Sequence, residues 1–411
     1  DDDYNMIAIR GRIEKTPKIG DKFCLDIEKT DVLTINGWIK LKELTMNDYI
    51  ASLDNGKIIY EKPKGIYIIP YNGKMHKIKN DYVNLEITLD HKLYIRKENK
   101  DNYELVDSSK AFGSKYNMRK DALFDYDEVK IITRNKVDIN YNNYLKLLAL
   151  YINYGNVGDK GIINFNFNDD KIIEYFKEVL KWLKLTIKNY NKSKFRNSEN
   201  FKIYNEILYE LFNEITDNMG NKLIPKDVIK LNSIQSKIFI ENLFYDTNKI
   251  LTQSQELIND ITMICIHSGL VSDTYYDIRN NTNVIQLLSN ENNEVYINPN
   301  DESMYDFNGL VGCLEVSSHV FMVKQNNKYV WTGNCCYSSD HEVMTFDGWK
   351  NITEISMQDK IACLENDNEI IYREPKEVMT YEYDSEIHGK MYEVNTNKVS
   401  LRVTPNHRMY V

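Results

Sequence analysis

The chain has 411 residues, 42% of them hydrophobic and 27% charged, and a formal net charge of −9 at pH 7. That length holds two or three domains, and that apolar share lets each bury a core. The negative balance argues against a dedicated nucleic-acid binder and leaves room only for a local basic face.

No apolar run is long enough to span a bilayer and no secretory apolar segment is present, so no membrane partner is expected. The six cysteines, at 24, 265, 313, 335, 336 and 363, lack the C-x-x-C spacing of a metal site. Cys335 and Cys336 are neighbours, too close in sequence for an ordinary structural disulfide. A reducing intracellular compartment, cytoplasm or nucleus, with reactive thiols is the expectation.

In chain order, residues 24–96 alternate short apolar and polar stretches. Turns at Ile35-Asn36-Gly37, Asp54-Asn55-Gly56 and Tyr71-Asn72-Gly73 punctuate them, the pattern of many short strands. Segment 97–140 is charged and less regular, and reads as a connection. Between 141 and 290 the apolar spacing turns helical, over 144–152, 170–185, 205–215, 234–245 and 255–268. Strand character returns over 306–334, with Leu314-Glu315-Val316 and Val320-Phe321-Met322-Val323, and a turn at Asn326-Asn327.

Residues 336–411 then repeat residues 24–96. The first copy runs from Cys24 through Asp31-Val32-Leu33-Thr34, Gly37-Trp38, Met46-Asn47-Asp48 and Gly73-Lys74-Met75 to Thr88-Leu89-Asp90-His91. The second runs from Cys336 through Glu342-Val343-Met344-Thr345, Gly348-Trp349, Met357-Gln358-Asp359 and Gly389-Lys390-Met391 to Thr404-Pro405-Asn406-His407. Directly before it stands Trp331-Thr332-Gly333-Asn334-Cys335.

A leading cysteine, a Thr-x-x-His some distance on and an Asn-Cys at the tail resemble an intein, and the duplication resembles two inteins in one host. The resemblance implies a role for each residue. Cys24 attacks its own upstream carbonyl, on Phe23, to turn an amide into a thioester, a task suited to a thiol that ionises near neutral pH. Thr88 fixes the strained peptide and His91 protonates the departing amine. Cys335 takes the acyl group, and Asn334 closes on its own backbone carbonyl as a succinimide, helped by proximity. His319, in Ser318-His319-Val320-Phe321, matches the histidine that assists this cyclisation. Cys336, Thr404 and His407 are the corresponding residues of the second copy.

Two positions depart from the family pattern. Gly333 stands where a histidine usually precedes the terminal Asn, so His319 carries more of the load. Cys313 stands where Asp is frequent. It tunes the Cys335 thiol, serves as an extra acyl acceptor, or packs in the core.

Ile9-Arg10-Gly11-Arg12 and Thr16-Pro17-Lys18-Ile19-Gly20-Asp21-Lys22-Phe23 resemble the second-largest subunit of multisubunit DNA-directed RNA polymerases. In that family the lysine matching Lys22 lies near the active centre; a solvated turn lysine is the other reading. Leu147-Leu148-Ala149-Leu150-Tyr151-Ile152-Asn153-Tyr154-Gly155, with a second copy over Phe239–Asn248, resembles the LAGLIDADG helix of dodecapeptide homing endonucleases. There an acidic residue at each helix end binds the divalent metals. Here those positions hold Tyr154 and Thr247, with Asp246 one place early, so cleavage is expected to be lost and Mg²⁺ is needed only if the insert is active.

The expected architecture is a mainly β, horseshoe-like Hint splicing domain interrupted by an α+β LAGLIDADG-type insert, with a second, partial β Hint domain at the C-terminus. The division is 1–23 host segment, 24–120 Hint N-terminal part, 121–300 degenerate insert, 301–334 Hint C-terminal part, 335 a single host (extein) residue, and 336–411 the first part of a second intein. The expected function is autocatalytic splicing without a cofactor. The partners are the flanking polymerase sequences, the other polymerase subunits after splicing, and DNA held weakly by the insert. A site-specific homing endonuclease and a hydrolytic, hedgehog-type Hint domain are the rival readings. Asn334-Cys335 speaks against the latter and Tyr154 against the former.

Overall fold

Asn-Gly pairs set the first hairpins. Asn55 and Gly56 take φ of 46° and 77°, conformations that Asn and Gly tolerate, and they turn Ile50–Asp54 back on Lys57–Glu61. Around such turns the computed structural model describes residues 3–11, 24–98, 100–134, 137–159, 161–192, 198–217, 220–288, 293–333, 342–351, 355–365, 369–384, 392–395 and 400–403.

Four strands matter first: β1 (Leu25–Asp26), β2 (Gly65–Lys79), β3 (Asn84–Thr88) and β4 (Lys92–Lys97). The helical stretch follows, with α1 (Tyr141–Tyr154), α2 (Ser233–Leu243) and α3 (Gln255–His267) its central elements. Three strands come after it: β5 (Glu302–Glu315), β6 (Val320–Gln325) and β7 (Lys328–Gly333).

β1, β5, β2 and β3 close into a barrel. Its longest seam is the antiparallel ladder of β2 on β5, from Ile78 opposite Glu302 to Gly65 opposite Glu315. β4, β6 and β7 belong to a larger sheet that also holds Thr30–Thr34, Ile50–Asp54 and Lys57–Glu61. β6 turns into β7 through Asn326 and Asn327, both at positive φ (48° and 63°). Strands from before and after the helical stretch are thus interleaved, which carries the β architecture across the interruption.

Each of these three helices starts on a side-chain cap, as sequence chemistry favours. Asn140 accepts from the Asn143 amide before α1, Asn232 from Gln235 before α2, and Ser254 from Leu257 before α3. α1 and α2 pack on one another, and α2 on α3, around buried Tyr144, Leu148, Tyr151, Phe239 and Ile261.

The segment 97–140 departs from its expected irregularity. Tyr116–Arg119 pairs with β4 and with Glu294–Ile297, and Glu104–Asp107 also pairs with β4. Tyr116 and Met118 are fully buried on one side of their strand, a two-residue period hidden among charges.

The sequence repeat is also a structural one. Thr34 Oγ1 donates to the Gly37 carbonyl at 2.7 Å, and Thr345 Oγ1 donates to the Gly348 carbonyl at 2.7 Å. Gly37 and Gly348 have φ of 113° and 115°, and Thr34 pairs with Ile50 as Thr345 pairs with Ile361. Asp3–Gly11 forms a strand antiparallel to Pro375–Asp384.

Candidate active site

Cys24 is fully buried at the start of β1, packed with Tyr71, Met75 and Val311. Leu25 pairs with Ile87 on one side and with Gly312 on the other. This register carries Thr88 to the Cys24 backbone. The Cys24 amide donates to Thr88 Oγ1 at 3.0 Å, and the Thr88 amide donates back to the Cys24 carbonyl at 2.9 Å.

The same register carries Cys313 to Cys24. Their Cα atoms are 4.5 Å apart and the sulfurs are bonded as a disulfide. That corrects the expectation of reactive, unbonded thiols at both positions: adjacent pairs on β1 and β5 leave the two side chains facing one another. Cys265 is a buried free thiol, and burial pushes its pKa up to about 12.

His91 follows Thr88 through a tight turn, its amide donating to the Thr88 carbonyl at 3.1 Å. A single helical turn, Ser108–Ala111, braces this loop. Ser108 N donates to the His91 carbonyl and Ser109 N to the Leu89 carbonyl, each at 2.8 Å. His91 Nε2 lies 2.5 Å from Thr332 Oγ1 on β7. β7 in turn pairs with β4, Gly333 opposite Lys92. The strand that leads to position 334 is therefore held beside Thr88 and His91.

His319 is buried and adopts a left-handed φ of 62°, in a turn closed by its amide on the Val316 carbonyl. Glu61 fixes this turn, accepting from the Ser317 amide at 3.0 Å and from the Ser318 amide and hydroxyl at 3.1 and 2.6 Å. The next residue, Val320, pairs with Gly333. A Cβ at Gly333 would come within 2.2 Å of Leu105 Cδ2 and 3.0 Å of the His319 carbonyl oxygen, so a histidine there would require the Leu105 side chain to move aside. Lys22, Asn334, Cys335, Cys336, Thr404 and His407 lie outside the described residues.

Beneath the site, Glu86 on β3 bonds Lys29, Lys77 (2.7 Å) and Tyr305 (2.7 Å). Burial raises its pKa, but these bonds outweigh it and bring it down to about 2. Gln325 reaches across from β6, accepting from the Glu86 amide at 2.7 Å and donating to the Glu86 carbonyl at 3.0 Å. Glu61, Gln325 and Thr332 were not legible as site residues. For Gln325 and Thr332 the available signal was their place on the final strands; Glu61 carried none.

In the helical part, Tyr154 at the end of α1 and Asp246 beyond α2 meet, the phenol donating to the carboxylate. Burial and Asp246 raise the Tyr154 pKa. Thr247 Oγ1 is engaged with Lys249, donating to its carbonyl at 2.8 Å and accepting from its amide at 3.1 Å. These residues do not fit Mg²⁺, which wants several carboxylate or carbonyl oxygens in one shell. Of Tyr154, Asp246 and Thr247 only Asp246 carries a carboxylate, and one of its oxygens accepts from the phenol.

No family model matches the chain. It is similar to an ATP-dependent Clp protease proteolytic subunit of Chlamydomonas moewusii, 24% identical over 356 residues, covering 75% of this chain and 35% of that protein. It is also similar to a DNA-directed RNA polymerase subunit beta C-terminal section of Stigeoclonium helveticum, 22% identical over 415 residues, covering 78% of this chain and 37% of that protein. The chain thus spans about a third of the length of these curated relatives. Among solved structures, a class 3 split intein, AceL NrdHF, in a glutathione-linked, splice-inactive form, covers 76% of this chain and 98% of its own at 7% identity and a TM-score of 0.28. The homing endonuclease I-DmoI, bound to its target DNA, covers 36% and 87% at 14% identity and a TM-score of 0.28.

Proposed function

We propose that the chain is a self-splicing element, an intein from Cys24 to Asn334 set in an RNA polymerase second subunit, with a second intein starting at Cys336. The observation that carries this reading is that one loop serves both junctions. Thr88 holds the Cys24 amide, and His91 touches the strand that runs to position 334. The two relatives support it from another side. A protease subunit and a polymerase subunit share a stretch that is a minor part of each, as expected of an inserted module rather than of either host's own activity.

The chemistry follows from the site. Two cellular thiols, or one dithiol, reduce the Cys24–Cys313 bond: they supply two electrons and two protons, leave as a disulfide themselves, and free both cysteine thiols. Cys24 Sγ then attacks the Phe23 carbonyl carbon, the Phe23–Cys24 C–N bond breaks, and the freed amine takes a proton relayed by His91. Thr88 Oγ1, already bonded to that nitrogen, can turn its own hydrogen toward the lone pair as it develops. Cys335 takes the acyl group from Cys24. Asn334 cyclises with help from His319, releasing the intein, and an S-to-N shift restores the amide between Phe23 and Cys335. The sequence division at 1–23, 24–120, 121–300, 301–334, 335 and 336–411 is retained in this reading, as is a reducing intracellular setting.

The test is to express the chain with its natural downstream sequence and weigh the products. Cys24→Ala should abolish cleavage after Phe23, and the mature host should read Phe23-Cys335 followed by serine. Ligation by the Cys24→Ala, Cys313→Ala double variant would refute the assignment. A released second fragment that begins at Cys335 rather than Cys336 would refute the junction.

A further inference from the structure

We infer that Thr332 is a positioning residue for the acid–base step at Cys24, setting which nitrogen of His91 carries the proton; this rests on the splicing reading above. Thr332 Oγ1 lies 2.5 Å from His91 Nε2 and donates to the Lys92 carbonyl oxygen at 3.1 Å. A hydroxyl has one hydrogen to give. With that hydrogen directed at Lys92, Oγ1 accepts from His91, so Nε2 bears the N–H and Nδ1 keeps the lone pair.

That assignment suits the chemistry. A histidine that first takes the Cys24 thiol proton and then passes it to the Cys24 nitrogen must start with one ring nitrogen unprotonated. Thr332 gives that task to Nδ1. Once Nδ1 is protonated, Nε2 still donates to Thr332, so the charged ring keeps its partner throughout. The ring is held for this: His91 is 1% exposed and Thr332 fully buried, and Ser108 fixes the His91 carbonyl.

The source of the hydroxyl gives the contact a second meaning. His91 sits between β3 and β4, whereas Thr332 lies on β7, two residues before Asn334. β7 reaches His91 only by pairing with β4, Thr332 opposite Leu93. The N-terminal junction's histidine is therefore set by the segment that carries the other junction.

The experiment uses the full chain with Asn334→Ala, which stops the final cleavage, as the parent for Thr332→Val and Thr332→Ser. Thiol-induced cleavage after Phe23 is followed by intact mass. Imidazole ¹⁵N NMR, with His91 assigned through His91→Gln, reads the tautomer. Thr332→Val should slow cleavage about tenfold or more, as loss of a group that orients a histidine does elsewhere, and should move the proton off Nε2. Thr332→Ser should restore both. Parent-like cleavage in Thr332→Val, equal slowing in Thr332→Ser, or an Nδ1–H tautomer in the parent would overturn the inference. A parent that never yields a thiol-sensitive junction would instead overturn the splicing reading, and the NMR pattern would still decide the tautomer.

Discussion

Cys24 and Thr88 exchange hydrogen bonds, amide to hydroxyl at 3.0 Å and amide to carbonyl at 2.9 Å. In the proposed splicing reaction the Cys24 nitrogen is the atom that departs from Phe23, so this pair places a side chain directly on the bond to be broken. Thr88→Val keeps the shape and removes the oxygen, leaving a buried N–H unpaired at a cost of about 1–3 kcal/mol. Thiol-induced cleavage after Phe23 should fall roughly tenfold to a hundredfold, while Thr88→Ser retains most of it. Intact-mass time courses read both. Equal rates in parent and Thr88→Val would detach this bond from the chemistry.

In the proposed reaction, the bonded Cys24 and Cys313 make splicing conditional on reductant. Protein isolated without reductant should be inert, and a phosphine, which reduces disulfides without exchanging with thioesters, should start the reaction. Cys313→Ser should remove that requirement. Splicing at full rate in oxidised protein, with the disulfide verified by mass, would contradict this.

Tyr154 and Asp246 satisfy one another where metal-binding acids would be needed. Incubated with Mg²⁺ or Mn²⁺, the excised protein should leave DNA spanning the uninterrupted host junction uncut. Retained binding in a gel shift is compatible with this; a specific double-strand break is not, and Asp246→Asn would then be the first variant to make.

His267, at the end of α3, is fully buried with its Nε2 2.6 Å from the Tyr60 hydroxyl of the β part. Burial pushes its pKa down to about 3, below the ordinary value near 6.5. The unfolded chain therefore binds one more proton between those values, and stability rises with pH through that window. The melting temperature should drop as pH falls from about 6.5 toward 3, and His267→Gln should flatten that limb. Glu86, brought down to about 2, adds stability that is fully present above the usual carboxylate range and is lost progressively as pH falls from that range through about 2. An unchanged slope in His267→Gln would remove His267 as the cause.

The helices were legible because their period and caps are local. α1, α2 and α3 begin within a few residues of the apolar runs that announce them. Cys24, Thr88, His91 and His319 stand out in the sequence through the motif they match, and the structure brings Thr88 onto the Cys24 amide and His91 onto Thr332. Thr332 and Glu61 do not stand out, since a threonine on a strand and a glutamate at a strand end acquire meaning only through partners far along the chain. The Cys24–Cys313 bond was missed for the same reason: the two cysteines are 289 residues apart in sequence, and register, not spacing, brings them together. The closeness of Leu105 and of the His319 carbonyl to Gly333 is likewise invisible in the sequence, because both neighbours come from other strands and turns.

The ladder of β2 on β5 works as a clock. A ribosome emits Cys24 long before it emits Cys313, and at about 5–20 residues per second the interval is on the order of tens of seconds. Until β5 arrives, β1 lacks one of its two neighbours and the barrel around Cys24 stays open. Pairings this distant also form slowly. In the proposed reaction, the Phe23–Cys24 bond thereby stays outside a finished site until most of the chain up to the second junction has been made.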